Sequence, residues 1–142
     1  MGASHAVISL GELSRSTFDG ECFRSAGITW PEGVEGARNP TPRELRRVLR
    51  GLGGYHIEYD ATGHSLDVTI SNSMDAQDWA VIWVENYAGE ASEDTPLSFS
   101  FHRGNEPLVL RVMSDLAKVC GPFVVVFNFD DPRLVTANGA PR

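Results

Sequence analysis

DAQDWAVIWVENYAGEASED, residues 75–94, places six carboxylates and three aromatics in twenty positions without one lysine or arginine. Its first half alternates: Trp79, Val81 and Trp83 point one way, Ala80, Ile82 and Val84 the other. Side chains alternate faces along a strand, and both faces here are apolar. The spacing therefore predicts a strand over Trp79–Tyr87, interior to a sheet and covered on both sides, with both tryptophans in the core. The second half, AGEASEDTP, reads as a solvated loop whose acids are free to meet a partner.

Working outward, the two preceding runs read as a hairpin. YHIEYD alternates Tyr55, Ile57 and Tyr59 against His56, Glu58 and Asp60. SLDVTIS alternates Leu66, Val68 and Ile70 against Asp67 and Thr69. Both apolar sets must share one face, because a one-residue slip flips a strand. That excludes a loop pairing Asp60 with His64. Two registers remain: Ile57 opposite Val68 with a four-residue loop, or Ile57 opposite Leu66 with a two-residue loop. Ala-Thr makes a poor two-residue turn, so the first is favoured, with Glu58 opposite Asp67.

Helices bracket these strands. In TPRELRRVLRGLGG, Thr41 caps, Pro42 opens the first turn and Glu44 closes a capping box. Leu45, Val48, Leu49 and Leu52 form its apolar stripe, and four arginines (43, 46, 47 and 50) take the opposite, solvated face. LSFSFH then reads as a strand. NEPLVLRVMSDLAKVCGP reads as a helix capped by Asn105, with Val109, Val112, Met113, Leu116, Ala117 and Cys120 inward. FVVVFNF is continuously apolar and so expected at the centre of the sheet. A strand, helix and strand in succession suggest a parallel pair joined by a crossover. The expected fold is α+β, a single layered domain over 1–142. Residues 1–40 form an irregular N-terminal segment in which HAVISL could be a short strand. Residues 41–142 form a core ordered α-β-β-β-β-α-β, a mixed sheet of about five strands flanked by two helices.

Composition narrows the function. The chain has 142 residues and a formal charge of −7, enough for a core without metal or disulfide staples. Gly51–His102 carries nine acids and no lysine or arginine. Nucleic acid is therefore not the expected partner of this segment, since phosphate contacts need cations. No apolar run reaches the roughly 20 residues of a membrane helix. The first residues lack the basic-then-apolar order of a secretory signal, so the chain reads as cytoplasmic and non-membrane. Cys22 and Cys120 are too far apart in sequence for a zinc spacing and read as free thiols.

No catalytic motif emerges. His5, His56, His64 and His102 lack metal-ligand spacing, so neither metal nor cofactor is expected. There is no phosphate loop and no nucleophile elbow. The expectation is a small acidic binding module of the inhibitor or immunity type, occupying a basic site on a toxin or enzyme. Its contact residues would be Asp75, Asp78, Glu90, Glu93 and Asp94, with Glu58 and Asp67 from the hairpin. Clustered carboxylates favour cationic clefts and speed association. One rival is a small-molecule pocket at the sheet edge using His102, Asp130 and Asp131, where α/β sheets place ligands. Another is a subunit of a larger assembly, docking through the arginine helix or the N-terminal segment.

Overall fold

The computed structural model describes residues 5–9, 37–127 and 131–137. The first helix forms as its capping sequence dictates. α1 spans Pro42–Arg50; the Thr41 hydroxyl accepts from the Glu44 amide at 3.1 Å, and the Glu44 carboxylate takes the Thr41 amide at 2.9 Å. Leu45 and Leu49 are buried. α2, Glu106–Cys120, is capped by Asn105, whose side chain accepts from the Leu108 amide at 2.8 Å. Val109, Val112, Met113, Leu116, Ala117 and Cys120 all turn inward.

Among the described residues the sheet has seven strands rather than about five and is antiparallel throughout. β1 is His5–Ser9, β2 Tyr55–Thr62, β3 Ser65–Asn72, β4 Asp75–Glu85, β5 Phe99–Gly104, β6 Phe123–Phe127 and β7 Asp131–Val135. Their order in space is β2-β3-β4-β5-β1-β6-β7. The mixed sheet expected from the strand-helix-strand run is corrected here. β5 and β6 do run the same way, but β1 lies between them, antiparallel to each. β7 is the second addition. It carries Pro132, whose missing N–H is tolerated on an outermost strand.

The hairpin keeps its faces but not its expected register. Ile57 pairs with Ile70, Tyr59 with Val68 and Thr62 with Ser65, leaving a two-residue turn of Gly63 and His64. Gly63 has φ 59°, the conformation that the first turn position of a II′ hairpin requires. The strand therefore runs on through Asp60, Ala61 and Thr62, which carry no apolar signal. Glu58 consequently lies opposite Thr69, and Asp60 opposite Asp67.

Both helices cover one face. Leu45 and Leu49 of α1 and Val112 and Leu116 of α2 join Val68, Ile82, Phe101 and Phe123 in one core. Phe101 and Leu116 have no exposed surface at all. On β4, Ala80, Ile82 and Val84 are buried against this layer, while Trp79, Val81 and Trp83 are half-buried on the opposite face, which is open in that no helix among the described residues covers it. The expectation of tryptophans in the core is thus corrected. His5 is buried, with its ring 4.8 Å from that of Phe127. Burial pushes its pKa below the ordinary histidine value.

Candidate functional site

Three groups of acids stand in three different settings. The first follows β4. A 3-10 turn at Gly89–Ser92 brings Glu93 and Asp94 back against α1. Glu93 is only 8% exposed. It accepts from the Tyr87 hydroxyl at 2.6 Å and from the Arg46 guanidinium at 3.0 Å. Burial opposes its charge, but the bonds from Tyr87 and Arg46 outweigh that and hold its pKa below the usual carboxylate range. Asp94 is paired with Arg43 at 2.8 Å, and the Arg43 amide donates to the Glu93 carbonyl. Glu90 stays exposed. Two of the three loop acids are therefore held by arginines of the same chain.

The second group lies at the start of β4. Asp78 accepts from the Tyr55 hydroxyl in a very short bond, from Asn105 Nδ2 at 2.8 Å and from Asn72 Nδ2 at 3.1 Å. These donors, Tyr55 foremost, hold its pKa below the ordinary aspartate value. Asn105 also donates to the Gln77 carbonyl at 3.2 Å, so one side chain caps α2 and ties it to β4. Asp75 and Asp78 line a pocket of about 490 Å³ with Tyr55, Asn105, Leu108 and Arg111. Asp78 is thus a node between three elements as well as a surface acid.

The third group lies on the open face of the sheet. Pairing and alternation put Glu58, Asp60, Asp67 and Glu85 on the side that carries Trp79, Val81 and Trp83. Asp67 sits opposite Trp83, and Ser71 opposite Trp79. The His56 ring lies 3.1 Å from the Glu58 carboxylate. The register also brings Arg103 of β5 opposite Val81, at the far side of this patch.

The residues of the alternative pocket are spread out. His102 is exposed and stacks on Trp83, ring centroids 4.8 Å apart and tilted by 59°. Asp131 begins β7, with β1 and β6 between it and the strand of His102. Asp130 and Cys22 lie outside the described residues. Cys120 is a buried free thiol, and burial pushes its pKa up to about 11. Among the described residues no three histidine, cysteine or carboxylate groups converge to hold a metal ion. Nor is any helix among them long and apolar enough to cross a membrane.

Sequence reading missed the partners. Arg43 and Arg46 had been read as a solvated face, and Tyr55 had no linear signal linking it to Asp78. The lone hint was composition: Gly51–His102 holds no lysine or arginine, so any internal partner of its acids must come from outside that stretch. The fold is α+β, with one antiparallel sheet of seven strands and two α-helices among the described residues. No family model, curated protein or solved structure matches the chain.

Proposed function

We propose that the protein is a small acidic binding module that holds a basic protein against the open face of β2, β3 and β4. The inhibitor or immunity type fits this reading, with a cationic cleft of a toxin or enzyme as its target. The observation that carries it is the setting of Trp79 and Trp83. Both rings are half-buried on a face that no helix among the described residues covers, flanked by Glu58, Asp60, Asp67 and Glu85. Tryptophan at a half-wet surface offers large contact area with little side-chain entropy to lose. Carboxylates around it attract and orient a cationic partner. Gly51–His102 supplies no lysine or arginine to cancel them.

Glu93 and Asp94 contribute less to such recognition, because Arg46 and Arg43 already occupy them. Glu90, Asp75, Glu58 and Asp67 carry more of the weight. The test is the association rate with the protein that co-purifies from the native host. That partner should be basic. Raising salt from about 50 to 500 mM shortens the screening length from roughly 14 to 4 Å, and the on-rate should fall steeply while the off-rate changes less. Glu58→Lys with Asp67→Lys should slow association at low salt. An on-rate indifferent to both salt and charge reversal rules the reading out.

The Tyr55–Asp78–Arg111 pocket supports a second reading, small-molecule binding, because it combines carboxylates, a guanidinium and an apolar floor at Leu108. Native mass spectrometry of the purified protein separates the two: a retained small molecule favours the pocket.

A further inference from the structure

The strand β2 forms one outer edge of the sheet, eight residues long and exposed over most of its length. Its ladder to β3 runs through consecutive pairs from Tyr55–Asn72 to Thr62–Ser65 without a bulge. Long edges are ordinarily blunted by lysine, proline or a bulge, and β2 has none of these. The register says which groups are free. A two-residue turn is closed by a hydrogen-bonded pair, here Thr62 with Ser65. Antiparallel pairs alternate, so Asp60, Glu58 and His56 turn their amides toward β3. Ile57, Tyr59 and Ala61 turn theirs outward. Among the described residues no loop or turn hydrogen bond reaches any of the three.

The two faces beside this edge differ. On the open face stand Glu58 and Asp60; on the helix face stand Ile57 and Tyr59, the latter 38% exposed with Arg46 stacked 4.4 Å from its ring centre. We infer that β2 accepts an extended segment of a basic partner as an eighth strand, with lysine or arginine at alternate positions facing Glu58 and Asp60. The intervening residues of that segment, apolar or aromatic, lie over Ile57 and Tyr59. This rests on the proposed function and specifies how the partner is gripped: by main-chain bonds to Ile57, Tyr59 and Ala61, with side-chain charge giving the choice. Charge complementarity also disfavours a second copy of this chain. Antiparallel self-pairing centred on Tyr59 sets Glu58 directly opposite Asp60, which is repulsive. The carboxylates thus keep the edge from pairing with itself while leaving it open to a cationic strand.

The probe is an end-capped nonapeptide of alternating lysine and valine, titrated into the whole protein at low salt and followed by amide NMR. Hydrogen exchange at Ile57, Tyr59 and Ala61 should slow on binding, and that at Glu58 and Asp60 should change little. Ala61→Pro removes one outward donor and leaves the bonds to β3 in place, so affinity should fall about tenfold, the equivalent of roughly 1.4 kcal/mol. The same peptide N-methylated at alternate amides should also fail to bind, which covers the case that Ala61→Pro disturbs the fold. A glutamate–valine peptide should not bind. Should the lysine peptide bind unprotected amides, with Ala61→Pro and N-methylation harmless, the edge inference falls and the open-face reading stands. Equal binding of the glutamate peptide overturns the choice of a basic occupant, and no binding of either peptide at millimolar concentration overturns the inference outright.

Discussion

Glu93 and Glu58 are the same residue type on the same acidic stretch of chain, and they live in opposite surroundings. Glu93 is almost wholly buried and takes bonds from Tyr87 and Arg46. Glu58 stands in solvent on the open face, its neighbour a histidine ring. Among the described residues the same contrast divides the two sides of the sheet: one is sealed by α1 and α2, the other shows two tryptophans and four carboxylates. Acid content alone therefore does not mark a recognition surface. What matters is whether the chain has already matched each charge internally.

The contrast breaks hardest on the sealed side. Leu116, with no exposed surface, should lose about 2–5 kcal/mol on replacement by alanine, read from denaturant unfolding. A loss below about 0.5 kcal/mol would mean that α2 does not face the core. Next comes Glu93→Ala, which leaves the Tyr87 hydroxyl and the Arg46 guanidinium without their acceptor. A cost of about 1–3 kcal/mol is expected. Glu58→Ala is the paired measurement, and an equal loss there would erase the distinction between the two acids.

A smaller effect belongs to the helix cap. Thr41→Ala should cost about 1 kcal/mol. The capping Glu44 adds a pH signature, because the Arg38 guanidinium, 2.7 Å away, holds its pKa down at about 2. A depressed carboxyl stabilises the fold above its unfolded pKa of about 4.3. That contribution should fade as pH drops from there toward 2, and in Glu44→Gln the acid limb of the stability curve should flatten. The smallest stability effect is expected from Glu58→Lys with Asp67→Lys, within about 0.5 kcal/mol for each site by thermal unfolding. Its consequence should appear in association kinetics instead.

Local physics made much of this architecture legible. The capping box placed α1, the apolar stripe placed α2, and alternation put Tyr55, Ile57 and Tyr59 on one face with Leu66, Val68 and Ile70. What stayed hidden was long-range. The Arg46–Glu93 bond joins residues 47 apart in sequence, and no periodicity announces such a pairing. The insertion of β1 between β5 and β6 is equally silent, since five residues can pair with any strand of matching pattern. The hairpin register failed for a different reason: Ala61 and Thr62 carry no strand signal and fell into a four-residue loop, while Gly63 supplied the turn. Trp79 and Trp83 were misplaced because an apolar strand face looks alike whether it meets a helix or a partner. Trp79→Ala should accordingly cost less than the roughly 3–5 kcal/mol of a fully buried ring.

The slot of β1 has a consequence for how the molecule comes together in time. His5 pairs with Phe101 on one side and with Phe127 on the other. Both of its ladders join segments more than 90 residues apart, the longest-range strand pairings among the described residues. Such distant pairings slow folding, because a large loop must close before the contact forms. Among the described strands, β1 alone fills the gap between β5 and β6. A short peptide copying His5–Ser9, supplied in trans during refolding, would compete for that gap, and its occupancy would report when the two halves of the sheet first face each other.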